Sequence, residues 1–175
     1  MAENPIALNV TIQTREVKYA VKNKTYVTAR SLEASGDMNY ESAAQMKISD
    51  DVENGYELDR AINDAIAEVK VQLGEYLNET TTSTDNRIKA TVKNNEAVVL
   101  AFKLPTNFNS AAADALGAGI HEFVVGRACY AWYRQTNMKI ADACNKDAEV
   151  SLDRAKRALY KRSRPEAPTY EEDGD

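Results

Sequence analysis

Few side chains in this sequence are of a kind that performs chemistry at neutral pH. His121 is the only histidine and stands within Ile120-His121-Glu122. Acid–base work by an imidazole needs a group to orient the ring and a group to act upon, and no serine or cysteine lies at a suggestive spacing from it. It reads as a packing or surface residue. Cys129 and Cys144 are set among apolar and small residues, where a thiol behaves as a small hydrophobe, and nothing adjacent marks either as a reactive thiolate. They read as reduced core residues, with a disulfide the lesser alternative.

Two stretches mimic ligand sites. In Asp50 to Ala61, the residues Asp50, Asn54 and Gly55 fall at the first, fifth and sixth positions of a calcium loop. Val52 then occupies a ligand position, and Ala61 stands where a bidentate glutamate must close the site, so too few oxygens remain. A helix start is the better reading. Leu116-Gly117-Ala118-Gly119 lacks the Lys-Ser/Thr of a phosphate loop and follows no strand of a βαβ unit. The residues offer no constellation for catalysis and no cofactor or metal site, and the chain is read as not an enzyme.

The pattern with the most content is cationic. Arg154, Lys156, Arg157, Lys161, Arg162 and Arg164 are six cations within eleven residues at the end of a helical pattern. Just beyond come Pro165, Pro168 and an acidic tail that contains Tyr170. Cations complement the C-terminal end of a helix dipole, and that alone accounts for several of them. Six exceed what capping needs, and pairing with carboxylates or phosphates becomes the stronger reading. Tyr160 is the one aromatic close to the cluster, too little for a stacking platform for single-stranded nucleic acid. Protein pairing is therefore preferred. A small nucleic-acid-binding regulator using this basic helix end is the alternative, opposed by the net charge of -5.

The elements that must carry these residues follow from periodicity. The chain has 175 residues, 43% hydrophobic and 28% charged, the composition of one ordinary globular domain. Its apolar runs fall short of the roughly 20 residues that cross a bilayer, and no cleavable leader is evident at the start. Ile6 to Thr14 alternates Leu8, Val10 and Ile12 with polar residues, as a half-buried strand or extended arm does. Arg15 to Leu32 reads as a short helix, although Thr25-Tyr26-Val27-Thr28 has strand character. Gly36 to Ser49 shows no period and reads as a surface loop or a partner-contacting excursion. Asp50 and Asp51 open the clearest helix, with Leu58, Ile62, Ala65, Ile66, Val69, Leu73, Tyr76 and Leu77 on one face.

Arg87 to Lys93 and Ala97 to Leu104 read as a β-hairpin about Asn94-Asn95, closed by Pro105. Asn109 or Ser110 caps a third helix carrying Leu116, Ile120, Phe123, Val124, Ala128, Ala131 and Trp132. Its glycines Gly117, Gly119 and Gly126 each cost about 1 kcal/mol relative to Ala when exposed, and imply a close helix neighbour. The fourth helix runs from Met138 to about Arg162 on a seam of Ala141, Cys144, Ala148, Leu152, Ala155 and Leu159. So thin a seam buries little apolar area per layer, and a neighbour in an oligomer is expected to supply the rest. The expected fold is mainly α, a helical bundle spanning residues 1–165 with an N-terminal extended arm, a β-hairpin at about 87–104, and a flexible acidic docking tail at 166–175.

The order of these parts carries a resemblance. Glu57-x-Asp59-Arg60-x-Ile62-x-Asp64-Ala65-Ile66 is followed by the hairpin and then by Ile120-His121-Glu122-Phe123-Val124-Val125-Gly126-Arg127. Trp132-Tyr133 and an Ala-rich helix ending Lys161-Arg162-Ser163-Arg164-Pro165 complete it. Over about Thr14 to Pro165 the chain resembles the head-to-tail connector, or adaptor, proteins of tailed bacteriophages, particularly those of phages infecting Bacteroides-type hosts. The resemblance implies a ring of about twelve copies below the portal protein, in contact with further neck or tail proteins and with genomic DNA as it passes. It places the chain in the virion at the head-to-tail junction, and in the host cytoplasm during assembly, with no membrane partner. The docking role it implies falls on Arg154, Arg157, Arg162, Arg164, Pro165 and Tyr170. Whether such a chain is adaptor, stopper or tail-completion protein stays open at this level.

Overall fold

The computed structural model describes residues 5–78, 82 and 97–164. Within them the chain forms β1 (Ile6–Gln13), α1 (Thr14–Ser35), α2 (Tyr40–Met46), α3 (Val52–Gln72), a 3-10 turn (Gly74–Tyr76), β2 (Ala97–Leu104), a second 3-10 turn (Ser110–Ala112), α4 (Ala113–Thr136) and α5 (Met138–Leu159). The architecture is mainly α, a helical bundle with one antiparallel strand pair.

The helix at the centre is α4. Leu116, Ile120, Phe123, Val124, Val125, Ala128, Cys129 and Tyr133 are buried around much of its circumference, because α5, α3 and α1 all pack on it. A helix apolar on all sides is a core helix, and its neighbours need only one apolar face each. α3 supplies Leu58, Ile62, Ala65, Ile66 and Val69 of the expected stripe, but it stops at Gln72 and not near Asn78, so Leu73, Tyr76 and Leu77 lie beyond it, in and around the 3-10 turn. α5 supplies Ala141, Cys144, Ala148, Leu152, Ala155 and Leu159, and its thin seam closes against α4 of the same chain. The small side chains are matched by the α4 glycines. A β-carbon on Gly119 would meet the Ser151 carbonyl oxygen at 2.9 Å, and one on Gly117 would lie 4.0 Å from Val10 Cγ1 on β1.

β1 pairs antiparallel with β2, with Ile6 opposite Leu104 and Gln13 opposite Ala97. β1 alternates as its sequence requires, with Ile12 buried and Ala7, Asn9 and Thr11 exposed. β2 buries Val98, Leu100, Ala101, Phe102 and Leu104, and its other edge is also occupied: Leu77 bridges Phe102, and the Asn78 amide donates to the Ala101 carbonyl at 2.7 Å. The expected first hairpin strand, 87–93, and its turn lie outside the described residues, as do the acidic docking tail and Pro165.

Three further expectations are corrected. The helix expected within Arg15 to Leu32 extends over 22 residues, Thr14–Ser35. Its strand-like Thr25 is buried and donates through Oγ1 to the Lys22 carbonyl at 2.9 Å, so a packed face overrides local β preference. Gly36, at φ 78°, then ends the helix in the left-handed conformation that favours glycine. The stretch Gly36 to Ser49 is not all loop. Asn39 caps α2 by accepting the Ser42 amide at 2.8 Å, Ala43 and Met46 are buried, and Trp132 Nε1 donates to the Met46 carbonyl at 2.9 Å. Seven residues are too few for a period to show; a tertiary hydrogen bond holds the helix instead. Finally, α5 stops at Leu159 and Arg162 belongs to an extended bridge with Phe108.

Charged pairs tie the outer helices together. Lys18 pairs with Asp59 and Lys22 with Asp50, joining α1 to α3 and to the turn before it. The Lys22 ammonium, by hydrogen bond and by charge, holds the Asp50 carboxyl below its ordinary value. Asp51 accepts from the Ser49 hydroxyl at 2.6 Å. Asp50 and Asp51, which open the calcium-like stretch, are thus engaged within the fold.

Candidate docking site at the end of the last helix

The outward face of α5 follows from the burial of the other. With Ala148, Leu152, Ala155, Ala158 and Leu159 turned to α4, Arg154 and Arg157 are exposed. Three residues apart, they share one face of the helix. Between them the half-buried Lys156 is turned aside, its ammonium donating to Gln72 Oε1 at the end of α3, 2.8 Å away.

Past Leu159 the chain is held by two other segments. Tyr160 meets Tyr76 of the first 3-10 turn edge to face, with centroids 5.8 Å apart at 89°. The neighbouring Tyr160 phenol, together with burial, pushes Tyr76 up to about 12. Residues 161–163 then run antiparallel to 107–109: the Asn109 amide donates to the Lys161 carbonyl at 3.1 Å and the Ser163 amide to the Asn107 carbonyl at 2.8 Å. Phe108, 3% exposed, plugs the core beneath this bridge. Asn109 also accepts from the Ala111 amide at 3.0 Å, so one residue caps the 3-10 turn before α4 and receives the returning chain.

Arg162 behaves differently from its neighbours. Its Nη1 donates to the Leu159 carbonyl at 2.7 Å and to the Lys161 carbonyl at 3.3 Å, satisfying acceptors that the helix end leaves open. It is a capping cation first. Arg154, Arg157, Lys161 and Arg164 are exposed, and among the described residues no carboxylate forms an ion pair with them. Four exposed cations at a fixed exit point form a surface suited to an anionic partner, by pairing and not by bond making.

Arg154, Arg157, Arg162 and Arg164 thus share one end of the bundle, whereas Pro165 and Tyr170 lie outside the described residues. The anchors Gln72, Asn107 and Phe108 were missed by sequence reasoning, and Tyr76 and Asn109 were read only as a helix-face residue and a helix cap. They come from segments more than fifty residues away, and only the Pro105-Thr106-Asn107 turn chemistry hints at one of them.

The other chemistry-bearing residues do not gather here. His121 is half-buried beside Glu122, Lys24, Asn23 and Tyr19 in an open cleft between α1 and α4. Among the described residues, no group of three or more His, Cys, Asp or Glu side chains is placed to hold a metal ion. None of the described helices is long and apolar enough to cross a membrane. Comparisons with protein-family models, with curated proteins and with solved structures gave no match.

Proposed function

We propose that the protein is a non-enzymatic structural component of a tailed-phage virion. It acts as a ring-forming adaptor that links the portal to the tail and lines the genome channel. The observation that carries this reading is the exposed cationic end of α5, whose Arg154, Arg157, Lys161 and Arg164 lack ion-pair partners among the described residues although the backbone around them is pinned by Phe108 and Tyr76. A fixed base whose cations have no ion-pair partner among the described residues, followed in sequence by Glu166, Glu171, Glu172 and Asp173, is a docking arrangement. The order of helices that resembles head-to-tail connectors supports the same reading. Arg154, Arg157 and Arg164 meet the carboxylates of the partner, Arg162 holds the helix end in shape, and Pro165 and Tyr170 continue the contact.

Size-exclusion chromatography with light scattering, on the full chain mixed with a portal ring and on a chain ending at Arg164, tests the proposal. The full chain is expected to co-elute with the portal and the shortened one to lose that association; equal docking by both removes the tail from the mechanism. Arg154→Glu with Arg157→Glu is expected to weaken docking at least tenfold. The rival reading, a nucleic-acid-binding regulator on the same cations, would instead show a salt-sensitive shift of duplex DNA by the isolated chain.

A further inference from the structure

Cys129 on α4 and Cys144 on α5 are both free and both buried. The two helices run antiparallel with their backbones almost touching: a β-carbon on Gly126 would fall 3.3 Å from Ala148 Cα and 3.3 Å from the Cys144 carbonyl oxygen. Adding one C–C bond to that 3.3 Å puts the Gly126 and Ala148 Cα atoms no more than about 4.8 Å apart, so the helices approach one another closely enough here for the ~4.4–6.8 Å Cα separation that a disulfide needs. Cys129 lies three residues after Gly126 and Cys144 four before Ala148. On antiparallel helices those steps advance both residues by about one turn in the same direction along one seam. The two thiols face each other there, close enough to perturb one another.

We propose that Cys129 and Cys144 are a peroxide-sensitive thiol pair that closes to an intrachain disulfide and staples α4 to α5. The pair is asymmetric. The adjoining Cys129 thiol, helped by the Lys24 charge and opposed by burial, brings Cys144 down to about 7, while the Cys144 thiol and burial push Cys129 up. Cys144 is also 4% exposed against 0% for Cys129. Cys144 therefore reacts first.

Its thiolate attacks one oxygen of hydrogen peroxide, forming an S–O bond as the O–O bond breaks. Hydroxide leaves and takes up a proton to become water, and Cys144 is left as the sulfenic acid. The Cys129 sulfur then attacks Cys144 sulfur. The S–S bond forms as the S–O bond breaks, and the Cys129 proton leaves with the hydroxyl as a second water. In total the two thiols give up two electrons, and one peroxide becomes two waters. A small neutral oxidant suits the site, since a seam closed by glycine and alanine does not admit a bulky disulfide reagent.

The test uses the full chain, folded and reduced, exposed to hydrogen peroxide and then mapped by mass spectrometry without reduction. The expected result is loss of both thiols together, a mass decrease of two hydrogens, one cross-linked pair of peptides containing Cys129 and Cys144, and complete reversal by dithiothreitol. In Cys129→Ser, dimedone added on unfolding, after the peroxide has been quenched, is expected to trap the sulfenic acid on Cys144; in Cys144→Ser, Cys129 is expected to stay unlabelled. Survival of both thiols under conditions that oxidise Met138, which is 56% exposed, overturns the proposal. A cross-link between chains, or labelling of Cys129 in Cys144→Ser, overturns it equally. If a serine variant fails to fold, the wild-type map decides alone.

Discussion

Gly126 of α4 rests directly on Ala148 of α5, so that a methyl group at position 126 would lie 2.9 Å from the Ala148 β-carbon. Both atoms belong to helix backbones or to the stubs on them, and neither can swing aside. Gly126→Ala is therefore expected to destabilise the fold by about 1–3 kcal/mol despite the higher helix propensity of alanine. Gly55 in α3 has nothing within 4 Å of the same construction, and Gly55→Ala is expected to stabilise by about 0.5–1 kcal/mol. Urea unfolding of the two variants checks the opposite signs; equal effects would show that the helix seam is looser than the geometry states.

Arg127 joins three helices. Its Nη2 lies 2.8 Å from Glu68 Oε2 on α3, its Nη1 donates to Asn145 on α5 at 2.5 Å, and its guanidinium sits 5.3 Å from the Tyr130 ring centre. Both charged partners are about a third open to water, which screens the pair. A double-mutant cycle with Arg127→Met and Glu68→Gln is expected to give a coupling near the lower end of about 0.5–3 kcal/mol. A coupling of zero would make the network ornamental.

Trp132→Phe tests how α2 is held. The substitution leaves the Met46 carbonyl without its indole donor, at an expected cost of about 1–3 kcal/mol. The local effect is expected to exceed the global one: hydrogen exchange of amides in residues 40–46 quickens while those of α4 stay protected. Uniform quickening would place Trp132 in the general core and not at the α2 anchor.

Tyr133 is fully buried, and Thr28 approaches its hydroxyl without completing a well-formed hydrogen bond. Burial disfavours the phenolate and, against the weaker opposing pull of Thr28, pushes the group from 10.0 up to about 12. Because the folded value is the higher one, the unfolded chain loses this proton first as pH rises. The contribution is thus complete below pH 10 and is lost between 10 and about 12. Tyr133→Phe is expected to be neutral or stabilising by about 1 kcal/mol at neutral pH, and to flatten the loss of Tm above pH 10. An unchanged alkaline profile would mean that other groups, such as Tyr76, dominate it.

Most of the helical frame is legible in the residue pattern alone. The Leu58 to Val69 stripe, the strand alternation about Ile12, Pro105 closing a strand, and the small-residue seams of α4 and α5 are repeats that a chain imposes on itself, because a helix or strand must face its apolar period inward. The close approach at Gly119 and Gly126 is legible for a related reason: glycine is costly in a helix unless another backbone takes the vacated space. So is the gathering of the cations, since Arg154 and Arg157 stand on the polar side of a one-faced helix.

Contacts between distant segments were decided only by the tertiary structure. α2 is held by the packing of Ala43 and Met46 and by Trp132, eighty-six residues from Met46, and no period in seven residues could announce it. The seam of α5, thin enough in sequence to suggest a second subunit, is filled by α4 because glycine on one helix meets alanine on the other. Arg162, counted with the docking cations, proved to cap Leu159, and Phe108 with Tyr76 determines where the chain leaves the bundle. Local periodicity states which face of an element is apolar; which element covers that face is a matter of complementary shape, and shape is set only when the helices meet.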